Sequence, residues 1–96
     1  MEKKELVIIG SGPAGMSAAI YGKRAGIDLV VLEKGQPGGQ ILITNEVENW
    51  PGTIETTGQA LADTFRKHAE HLGAEIRRAD VQALVPGDKT HVVKTA

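Results

Sequence analysis

Gly10-Ser11-Gly12-Pro13-Ala14-Gly15 spell GxGxxG. At that spacing three glycines let a backbone turn tightly, approach two linked phosphates and press a helix close against a strand. A helix opening near Pro13 would present N–H groups that no preceding turn satisfies. With the positive end of the helix dipole, they attract an anion without needing a lysine. Alone the motif is weak, because 12 glycines in 96 residues can produce the spacing by chance. Its context carries more. The motif follows the apolar run Leu6-Val7-Ile8-Ile9. Glu33 closes a second run, Leu29-Val30-Val31-Leu32, near the ~20-residue spacing of an acid that accepts ribose hydroxyls. A 2′-phosphate at Glu33 would meet like charge, although Lys34 softens the repulsion. The plain alternative is a solvated acid at a strand end. The chemistry these residues suit is retention of an adenine dinucleotide, FAD or NAD rather than NADP, and spacing does not choose between those two.

Such a turn needs a strand before it and a helix after it. The two four-residue apolar runs read as parallel strands covered on both faces. Between them Pro13 suits the first helical turn and Gly26 the position past the last, which predicts a helix from about Pro13 to Ala25. Strand, helix and strand make a βαβ unit. From Gly35 to Gly58 no periodicity is visible and Gly, Pro, Thr and Asn dominate, a loop long enough to suggest a functional role. Leu61, Phe65, His68 and Leu72 then recur at helical spacing up to Gly73, and Thr56 with Gln59 resembles a capping box. A short strand follows Ala74, and two more flank Pro86-Gly87-Asp88-Lys89, predicting a C-terminal β-hairpin. The fold class is α/β: a Rossmann-like FAD/NAD(P)-binding arrangement with a parallel sheet and a terminal hairpin, a partial domain. If the strand order runs steadily outward, both crossovers lie on one face. The other face then keeps an apolar patch that one hairpin does not fully cover, or a partner covers it.

Composition bounds the rest. Ninety-six residues make one small unit, with no room for two complete domains and a site between them. Eleven basic and 12 acidic residues, without blocks of like charge, point to neither nucleic acid nor an anionic membrane. No cysteine is present, which excludes a disulfide scaffold, a thiolate metal site and a redox dithiol within these residues. The opening MEKKELVIIG is too short in apolar residues for a signal core or a membrane span, and a cytoplasmic location is expected. His68 and His71 stand three apart on the second helix, but no third ligand is evident, so no metal is expected.

The segments Gly38-Gly39-Gln40-Ile41 and Glu46-Val47-Glu48-Asn49-Trp50-Pro51-Gly52, taken with GSGPAG, closely resemble the amino-terminal FAD half-domain of the bacterial-type, low-molecular-weight thioredoxin reductases. The resemblance covers essentially the whole chain, and VENWPG after GGQ is its specific part. It implies FAD as cofactor, with Ser11, Gly12, Pro13 and Ala14 at the diphosphate, between Gly10 and Gly15. It also implies Glu33 at the adenosine ribose, Gly39 and Gln40 beside the cofactor, Asn49 near the flavin and Val81 beside the adenine. Gly38-Gly39 would let backbone approach a flat ring, and the Gln40 and Asn49 amides offer donors and acceptors. Their plain alternative is to tie down the long loop. Trp50 divides evenly between packing on cofactor or partner and anchoring its own loop. The stretch Ile41-Leu42-Ile43-Thr44-Asn45 departs from the threonine-rich run usual in the family.

The resemblance further implies a parent protein in which NADPH reduces FAD, FAD reduces a CxxC disulfide, and the resulting dithiol passes electrons to thioredoxin, within a homodimer. The NADPH domain, the CxxC pair and the second half of the FAD domain have no counterpart here. Residues 1–96 are therefore expected to be the N-terminal part of an FAD-binding domain, catalytically incomplete and with no catalytic residue of its own. A ferredoxin–NADP reductase-like flavoprotein shares GxGPAG and GGQ, and a nonenzymatic dinucleotide-binding fragment is the reading from another class. VENWPG favours the thioredoxin branch.

Overall fold

Leu29, Val30, Val31 and Leu32 are each at most 7% exposed, which explains why the segment reads as an unbroken apolar run instead of an alternating one. They form most of β2 (Leu29–Glu33), the middle strand of a parallel sheet ordered β1-β2-β3, with β1 at Leu6–Ile9 and β3 at Glu75–Arg78. The computed structural model describes residues 1–96. Helix α1 (Pro13–Arg24) connects β1 to β2 and helix α2 (Gly58–His71) leads into β3. The strand order runs steadily outward, which is the condition for both crossovers to share a face, and both helices pack on one side. There Met16 and Ala19 of α1 and Ala69 of α2 meet Ile8, Leu29 and Val31 of the sheet. Gly22 lets α1 sit down on the strands: a Cβ there would lie 2.5 Å from Leu29 Cδ2.

The inner stripe of α2 differs from the expected one. Leu61 is 4% exposed, with Phe65 and Leu72 half-buried, but His68 is exposed, and the face is completed by Ala62 and Ala69 at 2% and 0%. Ala69 packs into the core against α1 and Ala62 lies beside Gly38 of the loop, and a histidine at either position would have to be desolvated without a partner. The helix start also shifts by one residue. Thr57, not Thr56, is the cap, its Oγ1 accepting from the Ala60 N–H at 3.1 Å. Gln59 bonds forward to Asp63 at 3.0 Å in place of reaching back. Thr56 is already committed, exchanging backbone bonds of 2.8 and 3.0 Å with Val47.

That pairing belongs to the segment predicted as a structureless loop. It holds a 3-10 helix, Gly39–Ile43, and the isolated Val47–Thr56 bridge. Thr44 O accepts from the Gly58 N–H at 2.9 Å, and the Trp50 ring lies against Phe65 with centroids 4.9 Å apart at 53°. The long connection is thus fastened along α2. The Trp50 ring anchors its loop on α2 through Phe65, with 37% of the residue still exposed.

The second face of the sheet bears Val7, Ile9, Val30 and Leu32 by alternation; Val30 and Leu32 are buried, Val7 is half-buried and Ile9 is exposed. Strands β4 (Val81–Val85) and β5 (Val92–Thr95) form their own antiparallel sheet with little packing on the body, and residues 82–91 are all exposed. The molecule is correspondingly long, 45 × 28 × 19 Å. The amino-terminal residues take part of the covering role. Glu2 reaches Arg77 on β3 at 2.6 and 3.1 Å, so they must cross β2, and Lys4 meets Asp28 at 3.1 Å. Arg77 also binds Glu75 at 2.8 Å, and together these partners hold its guanidinium well above the usual range. Ile9 stays 54% exposed, and Leu84 and Val85 are exposed on the hairpin. The apolar patch expected on this face is thus reduced to its β1 edge at Ile9, since Val30 and Leu32 are 3% and 7% exposed, and Leu84 and Val85 lie on the separate hairpin sheet.

This division of packing sets a stability gradient. Amide hydrogen exchange should be slowest in β2 and approach unprotected rates in β4 and β5, because local opening of the hairpin exposes almost no buried surface. Equal protection in both sheets would contradict the description.

Candidate dinucleotide site

The sharp turn between β1 and α1 is closed by Gly10 at φ +104°, a conformation that strains any residue with a Cβ. Its N–H donates to Leu32 O at 2.9 Å, tying the turn to β2. Ser11, 1% exposed, is the centre of a small network. Its N–H donates to Glu33 Oε1 at 3.0 Å and its hydroxyl donates to the same oxygen. The hydroxyl oxygen accepts from the Gly38 N–H at 3.2 Å, and Glu33 Oε2 accepts from the Gly35 N–H at 3.0 Å. Partial burial pushes the Glu33 carboxyl up, but the Ser11 hydroxyl and the Gly35, Ser11 and Lys34 amides outweigh it, and the net shift is downward. Glu33 is therefore an ionised carboxylate that joins the ends of β1 and β2 to the Gly38-Gly39 loop, not a merely solvated acid.

The head of α1 is left open. No side chain caps it and no acidic residue lies in its first turn, whereas α2 has its Thr57 cap. The first helical bond is Met16 N–H to Gly12 O at 2.9 Å. The N–H groups of Gly12, Ala14 and Gly15 have no partner within the chain, and Pro13 has none to offer. The two later glycines serve different ends. A Cβ on Gly15 would collide with the Gly10 carbonyl oxygen, so this glycine is required by helix-on-strand contact. A Cβ on Gly12 would meet only Gly38 O at 3.8 Å and Gly39 Cα at 4.0 Å, ordinary contacts. Nothing inside the protein demands glycine at position 12. Its lack of a side chain leaves the neighbouring amides open to close approach from outside.

The remaining predicted residues distribute around this centre. Gly39, at φ +65°, backs directly onto Gly12. Gln40 follows it as the second residue of the 3-10 helix, and Gln40 and Asn49 are both exposed, with no side-chain hydrogen bond inside the chain. Their amides do not tie down the loop. That work is done by Ser11 with Gly38, Val47 with Thr56, and Trp50 with Phe65. The Ala79 N–H donates to Glu33 O at 3.0 Å, which turns the chain so that half-buried Val81 follows close to the carboxyl end of β2.

Next to Glu33 the carboxyl ends of β2 and β3 border a cavity of about 390 Å³, lined by Glu33, Gly35, Gln36, Pro37, Ile76 and Arg78. Only Glu33 among these was named from the sequence. The others could have been found from the alternation of β3: Ile76 joins the helix-side core, so Arg78 shares that face, in register with Glu33. His68 instead borders a shallow groove between α1 and α2 with Ser17, Ile20, Tyr21, Arg24 and Leu72. No group of three metal-ligating side chains surrounds it or His71.

Two outcomes follow. Because the folded-state pKa of Glu33 is depressed, its contribution to stability is complete above the ordinary glutamate range, about pH 4.3, and is lost as pH falls through the lower folded value. Glu33→Gln should therefore be less stable than wild type near neutrality in urea unfolding, with the gap closing on acidification. A gap independent of pH would refute the carboxylate network. Gly15→Ala should cost about 1–3 kcal/mol in the same measurement, the usual range for overpacking. An unchanged midpoint would show that α1 does not rest on the Gly10 carbonyl.

Comparison with known proteins agrees with this fold. The chain is 41% identical over 90 residues to thioredoxin reductase of Bacillus subtilis, covering 94% of this chain and 28% of that protein. It is 46% identical over 98 residues to NADPH-dependent thioredoxin reductase 3 of Arabidopsis thaliana, covering 97% of this chain and 18% of the other. The structure superimposes on Lactococcus lactis thioredoxin reductase with a TM-score of 0.94 at 39% identity, over 97% of this chain and 31% of that one. The chain thus spans less than a third of the length of each. The family model described as pyridine nucleotide-disulphide oxidoreductase matches residues 4–96, and the chain belongs to that family.

Proposed function

We propose that this chain binds the ADP half of FAD and belongs to the FAD-binding domain of a longer NADPH-dependent thioredoxin reductase. The observation that carries the reading is the open amide set of Gly12, Ala14 and Gly15, in a turn where only position 12 is glycine without an internal reason. The donor set suits a diphosphate: uncharged N–H groups at a helix head, with the one nearby carboxylate already committed to Ser11 and Gly35. Gly10, Ser11, Gly12, Pro13, Ala14 and Gly15 would form the turn that receives the phosphates. Glu33, its charge spread over fixed donors, retains lone pairs for ribose hydroxyls. Val81 would border the adenine, and Gly39, Gln40 and Asn49 would lie along the cofactor towards its flavin end.

When bound, FAD supplies the hydride and electron chemistry, and the protein's share is orientation and electrostatics. In this reading residues 1–96 are the amino-terminal part of the FAD domain, and the NADPH site and redox-active dithiol lie in sequence outside them. That fits the share of each thioredoxin reductase that the chain spans. The partners of the parent are then thioredoxin and a second copy in a homodimer, with neither nucleic acid nor membrane required. The cytoplasm, where thioredoxin and glutathione keep thiols reduced, is the compartment that suits such a dithiol reductase. The similarity to thioredoxin reductases over 93–97% of the chain favours this branch over a ferredoxin–NADP reductase-like flavoprotein.

Gel filtration after mixing with FAD should leave flavin absorbance on the protein peak. Gly12→Ala should unfold within about 0.5 kcal/mol of wild type yet bind FAD at least tenfold more weakly, a loss of about 1.4 kcal/mol or more. Colourless wild-type protein would end the reading, and so would a Gly12→Ala variant that binds as well as wild type. NADPH added anaerobically should leave the bound flavin oxidised.

A further inference from the structure

The carboxyl ends of β1, β2 and β3 form a row in which strands about 4.8 Å apart carry three different kinds of group. At β1 stand the open amides of the Gly10–Gly15 turn, at β2 the Glu33 carboxylate, and at β3 the cavity wall made by Ile76 and Arg78. The two end positions are about 10 Å apart. Phosphate, ribose and base follow one another in the same order along an adenosine diphosphate, so a diphosphate at β1 and a ribose at β2 carry the base over β3.

Two arginines stand next to each other on that strand, and the sheet sends them to opposite faces. Arg77 is consumed by Glu2 and Glu75, at 2.6 and 2.8 Å. Arg78 borders the cavity, in register with Glu33, and has no carboxylate within 4.0 Å and no hydrogen-bond acceptor in the chain. It is the cation of the cavity wall, and its planar head is free to lie against a flat group. Gly35, Gln36 and Pro37 line the same cavity.

We propose that Arg78 is a positioning residue for the adenine base, its guanidinium stacked on the ring in the cavity between β3 and the Gly35–Pro37 loop. The inference rests on the dinucleotide reading above and deepens it. Stacking is favoured over phosphate pairing because the ionised Glu33 carboxylate in the same cavity disfavours a phosphate there, whereas a neutral aromatic ring can accept a cation on its face. A guanidinium does this with its whole plane, which a lysine ammonium lacks.

The test uses ADP and inorganic pyrophosphate as probes, titrated by calorimetry into the wild-type chain, Arg78→Ala and Arg78→Lys. Arg78 is exposed and without partners, so both variants should keep the wild-type circular dichroism spectrum and urea midpoint. Arg78→Ala should weaken ADP roughly three- to thirtyfold, and Arg78→Lys should recover only a minor part of that loss. Pyrophosphate binding should be unchanged in both. Full recovery by lysine, or an equal loss for pyrophosphate, would show a phosphate-directed charge and overturn the stacking role. Undiminished ADP binding by Arg78→Ala would overturn it while leaving the dinucleotide reading intact. A wild-type chain that binds neither probe would overturn both.

Discussion

Three backbone N–H groups at the head of α1 have nothing in the protein to bond to, and the surrounding structure serves to keep them that way. An ordinary helix of this length gains from a serine, threonine or acidic cap, and α2 of the same chain has one in Thr57. Helix α1 begins instead with Gly12 and Pro13, which lack the side chain that would fold back over the opening. The single carboxylate near enough to approach, Glu33, is drawn aside by the Ser11 amide and hydroxyl and by Gly35. The turn is thus rigid through its neighbours and unsatisfied at its centre, as a preformed anion site requires.

Glu33 connects this local geometry with the longer-range organisation. Through Ser11 its carboxylate reaches Gly38, where the 24-residue connection from Gly35 to Gly58 begins to wrap the helices. The connection is then fixed by the 3-10 helix, the Val47–Thr56 bridge and the Trp50–Phe65 contact. Gln40 and Asn49 are therefore presented outward on a supported backbone while contributing nothing to its support. The sheet beneath is anchored by a fully buried central strand, and the hairpin beyond β3 has almost no share in that core.

Much of this was legible in the residues. The apolar runs, Pro13 and Gly26 located β1, α1 and β2 because each is a local consequence of burial or backbone geometry. The separate tasks of Gly10 and Gly15 were readable from GxGxxG for the same reason. What local patterns could not convey was competition between neighbours. Thr56 has the side chain of a helix cap, but its backbone is taken by Val47, so Thr57 caps. His68 has the spacing of the inner stripe, but Ala62 and Ala69 occupy the buried positions. The structure within the glycine-rich loop depends on tertiary contacts with α2 and leaves no periodic trace. Arg78 was overlooked beside an identical residue, because only the pairing register shows that one faces a salt-bridge network and its neighbour a cavity.

The central claim concerns three particular amides, and proton–nitrogen correlation spectra of the labelled chain address them individually. On titration with ADP the resonances of Gly12, Ala14 and Gly15 should show the largest downfield proton shifts, while those at the capped head of α2, from Gly58 to Leu61, stay in place. Unmoved resonances at Gly12, Ala14 and Gly15 in the presence of saturating nucleotide, or equal movement at both helix heads, would contradict the account.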